Sequence, residues 1–301
     1  MNSGTHKSLI GRYFAPVACL NDPETFLGTL TRREFACGLA ESIKIAILKS
    51  PRLFEVIDRY HRDVEYSPYT HELIHISIRM MLEELQPNLY EQNLCRLADF
   101  GHEFGHIIEA RAHHEIPHGE CVAVGIAISS FLAYMKGVLA RSNLEKILSC
   151  IINQGLPIYM TGHDSCNSEA LWKKISTDGI DHKDEMLYLA VPEVIGRGTF
   201  IKNIEDINVE MVKEAILRLR QYAKGQTEFW CHPPARNGLT FGTGSSSLSG
   251  INSSLSNGKT LDSKEGQFRS SGNSFLSNGG PPSTARKRTF AIIGASGDIR
   301  S

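Results

Sequence analysis

Five of the chain's twelve histidines fall between His102 and His118: His102, His106, His113, His114 and His118. Neutral imidazole is the commonest metal ligand among side chains and titrates near neutral pH. Glu103 stands between the first two histidines, and Glu120 follows the last. On a helix, His102-Glu103-x-x-His106 puts both rings on one face, where they can share a metal ion while the glutamate acts as a base.

That five-residue pattern is the one zinc peptidases use, but its context here is poor. Gly101 and Gly105 each precede a histidine, and glycine costs about 1 kcal/mol in a helix interior relative to alanine. The extended peptidase motif places glycine three residues after the second histidine, where this chain has Glu109. Only Glu120 is left as a third ligand on that reading.

A second candidate carboxylate lies upstream. The stretch Glu34–Lys49 reads as a helix that is apolar nearly all round, with Glu41 and Lys44 the charges between its ends. A helix of that kind is buried, and buried charges are costly unless paired or metal-bound. Glu41 and Lys44, at i and i+3, can pair with each other. Alternatively, Glu41 joins two histidines in a one-carboxylate, two-imidazole set that leaves a position open for substrate.

Three ordered segments carry a family resemblance: Arg32-Arg33-Glu34-Phe35-x-x-Gly38-Leu39-Ala40-Glu41-x-Ile43-Lys44, Asp99-Phe100-Gly101-His102-x-Phe104-Gly105-His106, and His118-Gly119-Glu120-x-Val122-Ala123. In order and separation they resemble the sugar phosphate cyclases, of which 3-dehydroquinate synthase is the best-known type. The resemblance runs from about Ser3 to about Gly225. It implies a metal set of Glu41, His102 and His118 holding Zn2+ or Co2+, and NAD+ as a recycled cofactor. It implies catalytic roles for His106, beside the reacting centre, and for Lys44, in contact with substrate. Lys7, Thr29 and Leu30 match positions near the cofactor, and Asp99 and Lys183 match substrate-binding positions. The implied reaction oxidises a sugar phosphate hydroxyl, eliminates phosphate, reduces the ketone again and closes the opened sugar to a carbocycle. On this reading Glu103, at a position that is commonly threonine, has no part in the metal site.

Local departures bear on the substrate. Asp99 stands where dehydroquinate synthases usually carry asparagine, Cys95 aligns with an arginine although Arg96 is adjacent, and Met81 aligns with a lysine. Without those basic groups a substrate carboxylate is poorly neutralised. Residues 81–91, Leu156-Pro157-Ile158, Trp172 and Ile195-Gly196-Arg197 look more like the branch that cyclises sedoheptulose 7-phosphate, which includes 2-epi-5-epi-valiolone synthases. Gly105-His106 instead looks like dehydroquinate synthase. The sedoheptulose branch is favoured on balance.

The implied fold is mainly α: the helical C-terminal domain of a dehydroquinate synthase-like fold with a small β hairpin, its N-terminal Rossmann-like domain missing. Residues 1–32 read as the remnant of an interdomain region, with loops and a short strand at 16–20. Residues 33–225 form the helical metal and substrate domain, with helices through 33–150, at Ser168–Ile175 and at Val209–Tyr222. Strands at Met186–Val191 and Gly198–Ile201 flank Gly196. Residues 226–287, rich in Ser, Gly and Asn, read as a disordered linker. Residues 288–301, an apolar run into Gly294-Ala295-Ser296-Gly297, resemble the truncated start of a second nucleotide-binding domain. The chain is therefore expected to be a fragment or truncated product, active as a cyclase only with an NAD domain, or else a non-catalytic zinc-binding remnant.

The remaining expectations come from composition. A formal net charge of −1 gives no basic surface for nucleic acid. Seven scattered cysteines without a CxxC pair and no signal peptide point to reduced thiols in the cytoplasm. The apolar run Cys121–Met135 is short for a membrane span of ~20 residues and reads as a buried helix. His113 and His114 read as exposed loop histidines, and His61, His71 and His75 as structural or solvated. The expected partner is a small-molecule sugar phosphate, and the resemblance adds a homodimer.

Overall fold

The computed structural model describes residues 22–59, 68–88, 93, 95–161, 164–178 and 186–225. Lys7, Lys183, His61, the strand expected at 16–20 and the segments 226–287 and 288–301 lie outside the described residues.

Nine α-helices are described: α1 (Pro23–Leu27), α2 (Arg32–Lys49), α3 (Pro51–Arg59), α4 (Pro68–Leu85), α5 (His102–Arg111), α6 (His118–Met135), α7 (Arg141–Asn153), α8 (Ser168–Asp178) and α9 (Val209–Ala223). Two short strands, β1 (Leu189–Val194) and β2 (Arg197–Ile201), precede α9. The fold is mainly α with one small hairpin, as the sequence implies.

Helix α1 departs from the loop expected over residues 1–32. Its start is specified locally: the Asp22 side chain accepts from the Thr25 N–H at 3.1 Å, and proline opens the first turn. Helix α2 begins two residues before the expected Glu34, because Thr31 and Glu34 form a reciprocal capping box. The Thr31 hydroxyl accepts from the Glu34 N–H at 3.2 Å, and the Glu34 carboxylate accepts from the Thr31 N–H at 2.7 Å. From Leu39 to Leu48 this helix is almost wholly buried.

Helix α6 is the core of the domain. It is long and apolar enough to cross a membrane by length and composition. Here it is enclosed by α2, α5, α7, α9 and β1, and Cys121 to Ala133 are buried without a break. Glycines, among them Gly105 and Gly119, set how closely its neighbours approach. A Cβ on Gly105 of α5 would lie 3.1 Å from the Cys121 carbonyl oxygen and the Val122 Cα. A Cβ on Gly119 would lie 2.4 Å from the Cα of Cys37 in α2. Gly105 therefore sits inside a helix, against the propensity argument, because tertiary contact with α6 outweighs a cost of about 1 kcal/mol.

The hairpin is antiparallel, with Leu189 opposite Ile201 and Val191 opposite Thr199. Its first strand lies three residues further along than expected. The pairing still reaches back as far as the Leu187 N–H, which donates to the Lys202 carbonyl at 2.8 Å. Leu189, Ala190 and Val191 are buried consecutively, and the Gly196 N–H at the turn donates to the Ile47 carbonyl of α2 at 2.7 Å. The five cysteines among the described residues, Cys37, Cys95, Cys121, Cys150 and Cys166, are free thiols.

Candidate metal centre

Three helices meet at the histidine cluster. Helix α2 contributes Glu41 and Lys44, the first turns of α5 contribute His102 and His106, and the first residue of α6 is His118. The two Glu41 carboxylate oxygens face different neighbours. Oε2 lies 2.6 Å from the Lys44 ammonium, while Oε1 lies 3.3 Å from His102 Nε2 and 3.5 Å from His118 Nε2.

The outer nitrogens fix which ring nitrogen faces inward. His118 Nδ1 is 2.9 Å from Glu109 Oε2, and His102 Nδ1 is 3.4 Å from the Phe100 carbonyl. A carboxylate or carbonyl oxygen only accepts, so with a metal ion beside Glu41 the Nδ1 of each neutral ring would donate outward and Nε2 would offer its lone pair to the ion. Two donors each about 2.1 Å from one ion at a tetrahedral angle lie roughly 3.4 Å apart. The 3.3 and 3.5 Å separations match that spacing. The donor set, one carboxylate and two imidazoles, therefore fits a divalent ion such as Zn2+. His106 completes the cluster: the ligand nitrogens of His102, His106 and His118 lie within 4.8 Å of one another. Its ring packs 4.9 Å from His102 and 5.6 Å from His118, and the residue is exposed.

Charge around the centre is unevenly distributed. Burial alone would push the Glu41 carboxyl up, but the adjacent Lys44 ammonium and the two imidazoles outweigh it and hold the carboxyl well below the usual range. Lys44 itself is only 3% exposed. Glu103, the glutamate of the HExxH pattern, bonds the hairpin. Its Oε1 accepts from the Ala190 N–H of β1 at 2.9 Å, and Oε2 is buried with no hydrogen-bond partner among the described residues. Burial raises its carboxyl to about 8. One carboxyl oxygen is thus committed to a strand N–H instead of being free to face a metal ion.

Other candidates fall into place or outside it. Asp99 is held by Arg96, whose Nε and Nη2 donate to its two oxygens at 2.8 and 2.7 Å. Thr29 and Leu30 lie exposed in the turn after α1, where the Thr29 hydroxyl donates to the Phe26 carbonyl at 2.7 Å. Lys7 and Lys183, outside the described residues, have no structural placement. Glu120 is taken by Arg33, whose Nε and Nη2 donate at 2.5 and 2.9 Å; the pair ties the first turn of α6 to that of α2.

Glu109 is the site residue that sequence reasoning missed. It is 6% exposed and bonds His118. Helical spacing offered a signal, since His102 and Glu109 are seven residues apart and share a face of α5.

Comparison with known proteins follows the same lines. Residues 38–179 match the 3-dehydroquinate synthase C-terminal domain. Over 220 residues the chain is 34% identical to a 2-epi-5-epi-valiolone synthase from Streptomyces glaucescens, covering 72% of this chain and 55% of that protein. It is 28% identical over 200 residues to a 3-dehydroquinate synthase from Streptococcus pyogenes, covering 66% and 55% respectively. Among solved structures it matches ValA, the 2-epi-5-epi-valiolone synthase of Streptomyces hygroscopicus subsp. jinggangensis 5008 with NAD+ and Zn2+ bound. The TM-score is 0.67 at 31% identity, over 73% of this chain and 60% of that one. The chain spans a little over half the length of the relatives it matches.

Proposed function

We propose, for a chain whose helical domain belongs to the sugar phosphate cyclase family, that this domain supplies the metal-binding and proton-transfer half of an NAD+-dependent cyclisation of a sugar phosphate. The observation that carries the proposal is the convergence of Glu41, His102 and His118 at the spacing of a shared ion. When bound, Zn2+ polarises a substrate oxygen and NAD+ takes up and returns a hydride.

The chain's own residues have separate tasks. Glu41, His102 and His118 hold the ion. Lys44, 2.6 Å from Glu41, keeps that carboxylate ionised and in place, and on this reading its ammonium also contacts substrate. His106 stands beside the ligands on the exposed side, where an imidazole can take a proton from substrate and return it. The proton it moves is the one that becomes acidic once the neighbouring hydroxyl is a ketone, and its removal allows phosphate to leave.

Sedoheptulose 7-phosphate is the proposed substrate, in preference to the dehydroquinate precursor. Arg96 is already engaged by both oxygens of Asp99, so it offers no free guanidinium to a substrate carboxylate. The relatives at 34% and 31% identity are both 2-epi-5-epi-valiolone synthases. The enzyme operates in the cytoplasm on this reading.

The test is carbocycle formation from sedoheptulose 7-phosphate with NAD+ and Zn2+, by the chain alone and joined to the NAD-binding domain of a 2-epi-5-epi-valiolone synthase. Product in either form supports the proposal. Zinc binding with no product in either form favours a non-catalytic metal-binding protein.

A further inference from the structure

The turn between α5 and α6 holds two histidines that the ligand set leaves out. Helix α5 ends in a motif where the His113 N–H donates to the Ala110 carbonyl and the His114 N–H to the Glu109 carbonyl, each at 3.1 Å. The first position past such an end is usually glycine, because its backbone is left-handed. Here both residues are histidines with positive φ, 51° at His113 and 61° at His114. A left-handed backbone costs a residue with a Cβ roughly 1–2 kcal/mol. Strain of this kind persists where the surroundings hold it in place, and it clusters at functional sites.

The conformation places the His114 ring against Glu109. His114 Nδ1 lies 3.4 Å from Glu109 Oε1, while Glu109 Oε2 lies 2.9 Å from His118 Nδ1. A nearly buried carboxylate thus bridges an exposed-side imidazole, 35% exposed, and an inner one, 17% exposed. The backbone and side-chain contacts of His114 converge on the same residue.

We infer that Glu109 and His114 are positioning residues of the metal centre: Glu109 fixes the tautomer and orientation of His118, and His114 holds Glu109. Glu109 accepts the Nδ1 proton and thereby leaves Nε2 of His118 facing Glu41. Carboxylates placed in this way behind a ligand histidine typically contribute about 10–100-fold to metal affinity. His114 contributes less, through a longer contact. The inference rests on the metal-binding part of the proposed function and on neither the substrate nor turnover.

The test uses the full chain, stripped with chelator and titrated with Zn2+ or Co2+ alone. Glu109→Ala should bind zinc about 10–100-fold more weakly than wild type and shift the visible absorption of the Co2+ form. Glu109→Gln, whose amide oxygen still accepts from Nδ1, should lose less. His114→Gly separates positioning from structure. Glycine relieves the left-handed strain, so a purely structural His114 predicts an equally or more stable protein with unchanged metal binding. The inference predicts weaker zinc binding without loss of stability. If Glu109→Ala does not fold, the Gln and Gly variants still decide. Unchanged zinc affinity and Co2+ spectrum in the folded variants would overturn the inference. Failure of wild-type protein to bind either metal would instead overturn the metal-binding reading beneath it.

Discussion

Glu103→Gln isolates the energetic consequence of burying the HExxH glutamate. Burial raises this carboxyl from 4.5 to about 8. The unfolded chain releases the proton near 4.5, whereas the folded chain keeps it until about 8, so the folded state binds more protons through that interval. Stability therefore falls as pH rises from about 5 to about 8 and levels off above the folded value. At 1.36 kcal/mol per pKa unit, the full loss is on the order of 4–5 kcal/mol, a large share of a typical domain's stability. Glutamine keeps a carbonyl oxygen that can accept from the Ala190 N–H and has no proton to lose. Its amide also places donors where Oε2 is buried, which costs about 1–3 kcal/mol if they stay unsatisfied. The variant should thus be slightly less stable than wild type near pH 5 and more stable near pH 8.5. Urea unfolding from pH 5 to 9, in chelator so that metal linkage is removed, reads this directly. Parallel pH profiles for the two proteins would refute the reasoning.

Further outcomes follow from particular contacts. Gly105→Ala raises helix propensity yet should destabilise by about 1–3 kcal/mol in thermal or urea unfolding, because the added Cβ meets α6 backbone at 3.1 Å. Arg33→Glu should weaken zinc binding by loosening the first turn of α6, and adding Glu120→Arg should restore part of it; equal affinities in all three proteins would disconnect the pair from the site. Asp99→Asn releases one partner of Arg96 and should strengthen binding of a carboxylate-bearing substrate analogue in calorimetric titration, whereas no gain would remove Arg96 from substrate selection.

The parts of this domain that were legible in the sequence depend on local pattern. A nearly all-apolar helix with two isolated charges located Glu41 and Lys44, and turn chemistry around Gly196 located the hairpin. The parts that were not legible depend on what meets across space. Gly105 argues against a helix by propensity, and only the 3.1 Å approach of α6 explains why the helix forms through it. Glu103 is set aside from the metal by the family resemblance, but its bond to the β1 N–H and its burial show only once the strand is in place. Glu109 had a helical signal but no visible partner, because His118 reaches it only through the left-handed turn at His113 and His114. Helix α1 was missed for a smaller reason: Asp22, Pro23 and Thr25 specify a start that is too short to show periodicity.

The central claim is that Glu41, rather than Glu103, joins the histidines at the metal. Zinc content and affinity of purified Glu41→Ala and Glu103→Gln test it most directly. Zinc should be largely lost from Glu41→Ala, which retains two of three ligands, and kept by Glu103→Gln. Zinc retained at wild-type affinity in Glu41→Ala would contradict it.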